Sequence, residues 1–280
     1  VPLSAGHSLI RIMPAKPTIF VFTTAYYPFI GGAEIAVQEV ARRLNGTFRF
    51  FIVTARMRRD LPKREVRPEG TIIRVGFGMS LDKWFLPFVA PFAFFRERGG
   101  NRSILWGMDI STGALAAAFT KLLSPRTPFV FAIQYGYGGG RLAAGRLGLI
   151  GRAYRFILGR ADAVTAISSF LAQTARQFGY RRDVAVIPNG AALERFSARR
   201  TRRIDPVHPV VITTSRLVAK NGVDILIRAI AEVRRSVPDV RCHILGDGPE
   251  RGRLEALARA LGVTDRITFF GSVPYEDVPR

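Results

Sequence analysis

The sequence has little of what disulfide-bonded or metal-binding proteins need. Its 280 residues include one cysteine, Cys242, which excludes a disulfide framework and any site built from several cysteines. Its three histidines, His7, His208 and His243, lie too far apart along the chain for a local zinc motif. The sequence therefore predicts no metal site.

Acidic residues are also scarce. The chain has 21 Asp and Glu against 42 Lys and Arg, a formal net charge of +21, and residues 1–196 alone carry 27 basic and 11 acidic side chains. Such a surface favours polyanionic partners: nucleic acid, anionic lipid headgroups or phosphorylated substrates.

Long apolar runs are missing too, since none reaches the ~20 residues that a membrane-spanning helix requires.

What the sequence does contain is an alternation of two patterns. Short runs of β-branched and apolar residues predict strands at 18–24, 48–54, 71–75, 103–106, 128–133, 163–167, 184–188, 209–214, 240–245 and 266–270. Segments of helical period lie between them, at 33–44, 111–123, 145–159, 168–178, 221–236 and 250–261. This alternation is typical of α/β folds with parallel sheets, and nearly continuous apolar strands indicate sheets covered by helices on both faces.

A polar segment divides the two series of strands. Residues 197–208 contain four arginines within 199–203 and are rich in the residues of linkers. We predict a tail at 1–16, a first domain at 17–196, this linker, and a second domain at 209–280.

Two turns after strands in the first domain are candidate ligand sites. Gly31 and Gly32 precede a helix, where backbone N–H groups and the helix N-terminus favour an anion. Asn189 and Gly190 follow Pro188 after another strand. Each motif is equally compatible with an ordinary tight turn.

The second domain contains two further candidate ligand sites. Arg216 and Lys220 lie between a strand and a helix, where two cations would suit a diphosphate, although both could be ordinary surface charges. The loop Gly246, Asp247 and Gly248 also joins a strand to a helix. Asp247 can cap that helix, with Pro249 near its start, but a capped helix alone does not require both glycines.

The order of the four motifs resembles that of glycosyltransferase family 4, retaining nucleotide-sugar enzymes of the GT-B fold. The matching stretches are YYPFIGGAE, AVTAIS with VAVIPNGAALERF, SRLVAKNGVDILIRAIAEV and HILGDGPERGRLEALARALGVTDRITFFGSV. The resemblance covers nearly the whole chain from residue 18, is specific over 162–273 and is looser over 56–160.

The resemblance implies two Rossmann-like domains, hexosyl transfer from a nucleotide-diphosphate sugar to a glycan or lipid-linked acceptor, and no resident cofactor. It implies that Arg216 and Lys220 hold the donor diphosphate. Gly31 and Gly32 would approach the same phosphate, and the loop 246–248 would lie near the nucleotide. Asn189 and Gly190 would lie at a cleft between the domains.

Three departures from the family pattern stand out. Many members have histidines at two places where this chain has Met108 or Asp109 and, at the second, Gln134. Asp109 and Gln134 are therefore candidates to bind a sugar hydroxyl. The catalytic residues stay unassigned. Ala191 replaces the usual aspartate after Pro-Asn-Gly. The family's pair of glutamates does not occur before the chain ends, which predicts a truncated second domain and weak or absent turnover.

Two segments suggest an anionic membrane surface as a further partner. Residues 83–100 are unusually aromatic; Pro87 and Pro91 predict an interrupted helix, and the segment is compatible with an interfacial element or with a core helix. Residues 141–160 carry five arginines and no acid, typical of a membrane-surface helix or of an ordinary amphipathic one.

These patterns predict a cytoplasmic protein, peripheral at the inner face of the membrane. The alternatives are a non-enzymatic nucleic-acid or polyanion binder, suggested by charge alone, and another GT-B enzyme such as a sugar-nucleotide epimerase. No nucleic-acid-reading module accompanies the charge, so no nucleic-acid partner is expected.

Overall fold

The chain forms two compact units, residues 1–190 and 191–280. The structure, a computed structural model, describes residues 16–135, 148–196, 208–275 and 277–278. The predicted tail lies outside the described residues except for Lys16, and the predicted linker does so except for His208. The domain limits drawn from the sequence therefore stay a prediction.

The first unit is built on an eight-stranded sheet. Its strand order is β3-β4-β2-β1-β5-β6-β7-β8, and every neighbouring pair is parallel except β3 with β4. The strands are β1 Thr18–Phe22, β2 Arg49–Ala55, β3 Arg64–Arg67, β4 Gly70–Val75, β5 Ser103–Met108, β6 Phe129–Ile133, β7 Ala163–Ala166 and β8 Val184–Val186.

Helices pack on both faces of this sheet. The described helices of the unit are α1 Gly32–Leu44, α2 Asp82–Glu97, α3 Thr112–Leu123, α4 Leu149–Arg160 and α5 Ser169–Gln177. Strand β1 illustrates the arrangement, because Phe20 and Phe22 belong to one buried cluster and Val21, between them, belongs to the cluster on the opposite face. Successive strand residues point to opposite faces, so an uninterrupted apolar strand requires cover on both sides. The predicted α/β fold with covered parallel sheets is confirmed.

The second unit contains a three-stranded parallel sheet in its described part. Strand β10 Arg241–Leu245 lies between β9 Val210–Thr214 and β11 Ile267–Gly271. Three described α-helices accompany it: α6 Leu193–Phe196, α7 Val223–Val233 and α8 Arg251–Ala260. Its core includes the single cysteine, whose burial raises the pKa of the thiol.

One local prediction was wrong, and one strand was not predicted. The helix α2 continues through Pro87 and Pro91, both of which lie on its buried face. Each proline removes one backbone hydrogen bond, but packing of the helix against the sheet and α3 offsets this loss, because tertiary contacts supply most of a helix's stability. The short strand β3 was missed, since its sequence, REVR, lacks an apolar run and it lies at the sheet edge.

No helix in the described ranges is long and apolar enough to cross a membrane.

Candidate functional site

The carboxyl ends of the parallel strands in the first unit bring together residues from distant parts of the sequence. Asp109 follows β5, Gln134 follows β6 and Asn189 follows β8. In open α/β sheets ligands bind at this edge, because the loops there converge while the strands fix their spacing. The sheet order therefore determines which of the predicted residues become neighbours.

Asn189 and Gln134 are in direct contact. The Asn189 Nδ2 donates a hydrogen bond to the Gln134 Oε1 over 2.6 Å, although the two residues are 55 positions apart. This bond is exposed and uses one of the four amide N–H groups, so the other three and the remaining lone pairs can meet a ligand. The structure thus joins two residues that sequence reasoning treated separately.

Asp109 has an unusual conformation and environment. Its φ is +57°, in the left-handed region that asparagine and aspartate tolerate better than most residues. Its Oδ1 accepts a hydrogen bond from the Gln134 backbone N–H at 2.7 Å. Desolvation raises the pKa of Asp109 to about 6, while backbone hydrogen bonds from Gln134 and Tyr135 lower it and the charge of Glu34 raises it. The carboxyl can therefore change protonation near neutral pH.

Glu34 is a feature that sequence reasoning missed. The helix α1 begins at Gly32 with Gly31 as its N-cap, and the Glu34 carboxylate accepts a hydrogen bond from the Gly31 N–H at 2.9 Å. Burial raises the pKa of Glu34, with that hydrogen bond acting in the opposite direction. A glutamate three residues after a cap is a recognisable capping-box signal. Because Glu34 takes up the Gly31 N–H, it competes with any anion for that donor.

We expect Asp109→Asn to become more stable relative to the wild type as the pH rises. Because the folded pKa of about 6 exceeds the usual value of about 3.9, the native state binds more protons than the unfolded state between about pH 4 and 6. This carboxyl therefore favours folding less as the pH rises through that window. Asparagine does not titrate and tolerates the positive φ. The free energy of unfolding of the variant should therefore rise relative to that of the wild type by up to about 2–3 kcal/mol from pH 4 to pH 7.

Urea unfolding of both proteins at the two pH values measures this difference. Asp183→Asn, which removes an exposed carboxylate from the same unit, is the matched control. A stability difference between Asp109→Asn and the wild type that is equal at pH 4 and pH 7 would contradict the assignment.

In the second unit two loops pack against one another at the carboxyl ends of β9 and β10. The backbone N–H of Leu217 donates to the carbonyl of Asp247 at 3.0 Å, and the N–H of Glu250 donates to the carbonyl of Leu217 at 3.2 Å. Leu217 is fully buried, which anchors the first loop in the core of the unit. Paired hydrogen bonds and a buried anchor hold both loops in a defined conformation.

Both glycines of the second loop are required by this contact. A Cβ on Gly246 would lie 1.9 Å from the Ser215 carbonyl oxygen, and one on Gly248 would lie 2.3 Å from the Leu217 carbonyl oxygen. Gly246 also has a φ of +145°, a conformation that residues with a side chain rarely adopt. Both glycines are therefore explained by the close approach of the neighbouring loop.

Arg216 and Lys220 lie exposed on the first loop. Asn221 fixes the loop by donating from its Nδ2 to the Arg216 carbonyl at 2.7 Å. Within the described ranges, no carboxylate lies at ion-pair distance from the Arg216 guanidinium. The Oγ of the preceding residue, Ser215, is buried without a hydrogen-bond partner among the described atoms. The exposed Arg216 guanidinium, which no described carboxylate neutralises, can bind an anion with several oxygens.

The predicted cap at Asp247 was wrong. The helix α8 begins at Arg251 with Glu250 at the N-cap position and no side-chain cap. Asp247 instead accepts a hydrogen bond from the Gly248 N–H at 2.7 Å and lies 3.6 Å from the Arg251 guanidinium. The tight approach of the two loops places Asp247 before the helix, so its carboxylate stabilises the loop.

The predicted site residues thus lie in three places. Asn189 lies with Asp109 and Gln134, Gly31 and Gly32 lie at the start of α1, and Arg216, Lys220 and residues 246–248 belong to the two packed loops of the second unit. Gly190 is exposed, and a Cβ there would meet open space. Among the described residues, no three His, Cys, Asp or Glu side chains cluster as a metal site would require.

Comparison with known proteins supports a relationship over most of the chain. A family profile described as "Glycosyl transferase 4-like domain" matches residues 31–190, more than half of the chain. A second, described as "Glycosyl transferases group 1", matches residues 194–280. The two profiles meet close to the division between the compact units.

Curated relatives share part of the sequence. A GDP-mannose-dependent alpha-(1-6)-phosphatidylinositol monomannoside mannosyltransferase of Mycolicibacterium smegmatis is 37% identical over 135 residues, 45% of this chain and 35% of that protein. A phosphatidylinositol N-acetylglucosaminyltransferase component of Arabidopsis thaliana is 36% identical over 95 residues, 34% of this chain and 21% of that protein. The matching part therefore spans about a third or less of these relatives.

The fold is shared with a solved structure. Sucrose-phosphate synthase of Thermosynechococcus elongatus aligns with a TM-score of 0.73 at 19% identity, over 94% of this chain and 72% of that one. At this identity the likeness concerns the fold alone, and it confirms the predicted GT-B type of architecture. Because the profile over residues 31–190 covers more than half of the chain, this chain belongs to the glycosyltransferase 4-like family.

Proposed function

We propose that this protein transfers a hexosyl group from a nucleotide-diphosphate sugar to a lipid-linked or glycan acceptor, with retention at the anomeric carbon. The observation that carries the proposal is the rigid pair of loops in the second unit, which leaves the Arg216 guanidinium exposed and without a carboxylate partner in the described part of the chain. Arg216 and Lys220 would bind the donor diphosphate and offset the charge that develops on it as it leaves.

The first unit would bind the acceptor. Gln134 and Asn189 present amide groups at the strand ends, and Asp109 carries a carboxyl whose pKa of about 6 suits hydrogen bonding to a hydroxyl in either protonation state. Two relatives act, by their names, on phosphatidylinositol or its mannoside. Lipid-linked acceptors of this chemistry are therefore the first to test.

Donor binding is the most direct test. The full chain is titrated by calorimetry with UDP, GDP, GDP-mannose and a random oligonucleotide at two salt concentrations. We expect one of the nucleoside diphosphates to bind with defined stoichiometry, and the oligonucleotide to bind weakly. Tight, salt-sensitive oligonucleotide binding without a response to nucleotides would favour the nucleic-acid-binding alternative instead.

Transfer and stereochemistry need a second assay. The chain is incubated with the donor that binds and with phosphatidylinositol mannoside in detergent, and the anomeric configuration of the product is read by NMR. Retention predicts the same configuration as in the donor, whereas inversion would contradict it. Conversion of the donor to its epimer without transfer would favour the epimerase alternative. The rate of product formation in this assay also tests the weak or absent turnover that the sequence predicts.

A lipid-linked acceptor lies in a membrane, so the proposed function includes peripheral attachment to the inner membrane face. The acceptor headgroup extends only a short distance from the bilayer, and the enzyme must reach it there. Attachment is a separate property from transfer and can be measured without donor or acceptor.

A further inference from the structure

The helix α2 Asp82–Glu97 has apolar residues on both of its faces. The buried face packs in the first unit through residues such as Leu86, Ala90 and Phe94. The outward face, here called the aromatic face, consists of Trp84, Phe85, Phe88, Phe92 and Phe95, all exposed. Phe88 is 62% exposed and Phe92 74% exposed.

This arrangement is unlike that of a helix on a water-exposed surface. Such helices place charged or polar side chains outward, and large aromatic side chains in a contiguous row there mark a surface that another apolar phase covers. The aromatic residues follow the helical spacing of three and four, so they form one continuous stripe. Transfer of a phenylalanine side chain from water to an apolar environment is favourable, and such contributions accumulate along the stripe.

The stripe continues onto the neighbouring helices. The rings of Phe88 and Phe119 are 5.5 Å apart, and those of Phe119 and Phe156 are 5.6 Å apart. Phe119 belongs to α3 and Phe156 to α4, so an aromatic row crosses all three helices. The Arg160 guanidinium lies 5.4 Å from the centre of the Phe156 ring, so this end of the aromatic row lies beside a positive charge.

Within the described residues, the charged side chains on α2 and α4 that are not buried and lack an ion-pair partner are basic. The helix α4 carries Arg152, Arg155 and Arg160, all exposed, and no acid. On α2 the two acids are already engaged: Asp82 is buried and accepts hydrogen bonds from loop N–H groups, and Glu97 is paired with Arg64. A surface with an apolar centre, and with arginines beside it that no carboxylate of the described residues pairs with, is complementary to anionic headgroups above acyl chains.

We propose that the aromatic face of α2 inserts into the interface of an anionic lipid bilayer, and that the arginines of α4 bind the headgroups beside it. This inference rests on the membrane attachment in the proposed function and names the surface that provides it. It also accounts for the apolar outward face of α2, which the fold of the first unit does not require. The arginines explain why a lipid surface fits this face better than an apolar protein surface.

The test is co-sedimentation of the full chain with vesicles, in the absence of donor and acceptor. Vesicles of phosphatidylcholine alone are compared with vesicles containing about a third phosphatidylglycerol. The test variant is Phe88→Ser with Phe92→Ser, and its matched control is Phe170→Ser, which removes a phenylalanine of 59% exposure from α5. A third variant, Arg152→Gln, removes one exposed arginine from α4.

We expect the wild type and the Phe170→Ser control to bind the anionic vesicles and to bind neutral ones less. The double variant should lose at least about tenfold in partitioning, since two exposed aromatic rings no longer enter the interface. Arg152→Gln should reduce binding a few-fold at low salt and less at high salt, because salt screens the attraction. Nucleotide binding by calorimetry should be unchanged in all variants.

Three results would overturn the inference. One is equal partitioning of the wild type and the double variant. Another is a dimer in sedimentation velocity that the double variant abolishes while the wild type ignores vesicles, which would show a second copy on this face. The third is a wild type that ignores vesicles and a double variant that unfolds at lower temperature, which would show that part of this chain covers the face. In each case intact donor binding would leave the proposed transfer activity standing.

Discussion

Gly246→Ala is expected to lower the free energy of unfolding of the second unit by roughly 3 kcal/mol or more. A methyl group at this position would lie 1.9 Å from the Ser215 carbonyl oxygen, which is well inside contact distance. The backbone cannot rotate to relieve the contact cheaply, because the φ of +145° already lies outside the range that alanine adopts. The N–H of Gly246 is further fixed by a hydrogen bond of 2.7 Å to the Gly271 carbonyl.

Thermal and urea unfolding of the full chain measure the effect, with Gly252→Ala as the matched control. Gly252 lies in α8, is exposed, and has open space where a Cβ would be. Alanine there should be neutral or stabilise the helix by about 0.5–1 kcal/mol. If Gly246→Ala were as stable as the control, the close packing of the two loops would not exist in solution.

Arg216→Gln is expected to weaken binding of the nucleoside diphosphate by about 10–100-fold. Hydrogen bonds from a charged donor are worth about 1.5–3 kcal/mol each, and the bidentate geometry of a guanidinium suits a diphosphate better than glutamine does. The loop itself should keep its conformation, because its hydrogen bonds use the backbone of Arg216 and the side chain of Asn221. The substitution therefore removes a ligand contact without removing a structural one.

Calorimetric titration of the variant measures this, and Arg228→Gln is its matched control. Arg228 is an exposed arginine of the same unit, in the middle of α7, so its removal makes the same change in net charge away from the strand ends. If both variants weakened binding equally, the effect would be one of overall charge. Loss of affinity in Arg216→Gln alone would support a specific diphosphate contact.

The strand and helix pattern was readable from sequence because burial on both faces leaves a strong local signal. Runs such as TIFVF have apolar residues at every position after the first, and their length separates them from helices. The edge strand β3 carries no such signal, since its side chains are mostly charged and its partner lies on one side only. The prediction that Pro87 and Pro91 interrupt the helix at 82–97 was wrong for a related reason: prolines mark a local cost, whereas the compensating contacts come from residues far along the chain.

Sequence alone determined the kinds of residue at the strand ends and the family to which the chain belongs. Glycines, amides and cations occur there in an order that local chemistry and the family pattern explain. Only the tertiary structure decided which of them are neighbours: Asn189 bonds Gln134, and Gly246 and Gly248 face the loop of Arg216. It also decided which apolar face of α2 is exposed, because periodicity cannot distinguish the inward face from the outward one when both are apolar. These contacts depend on strand order and packing, which are non-local, so no window of sequence specifies them.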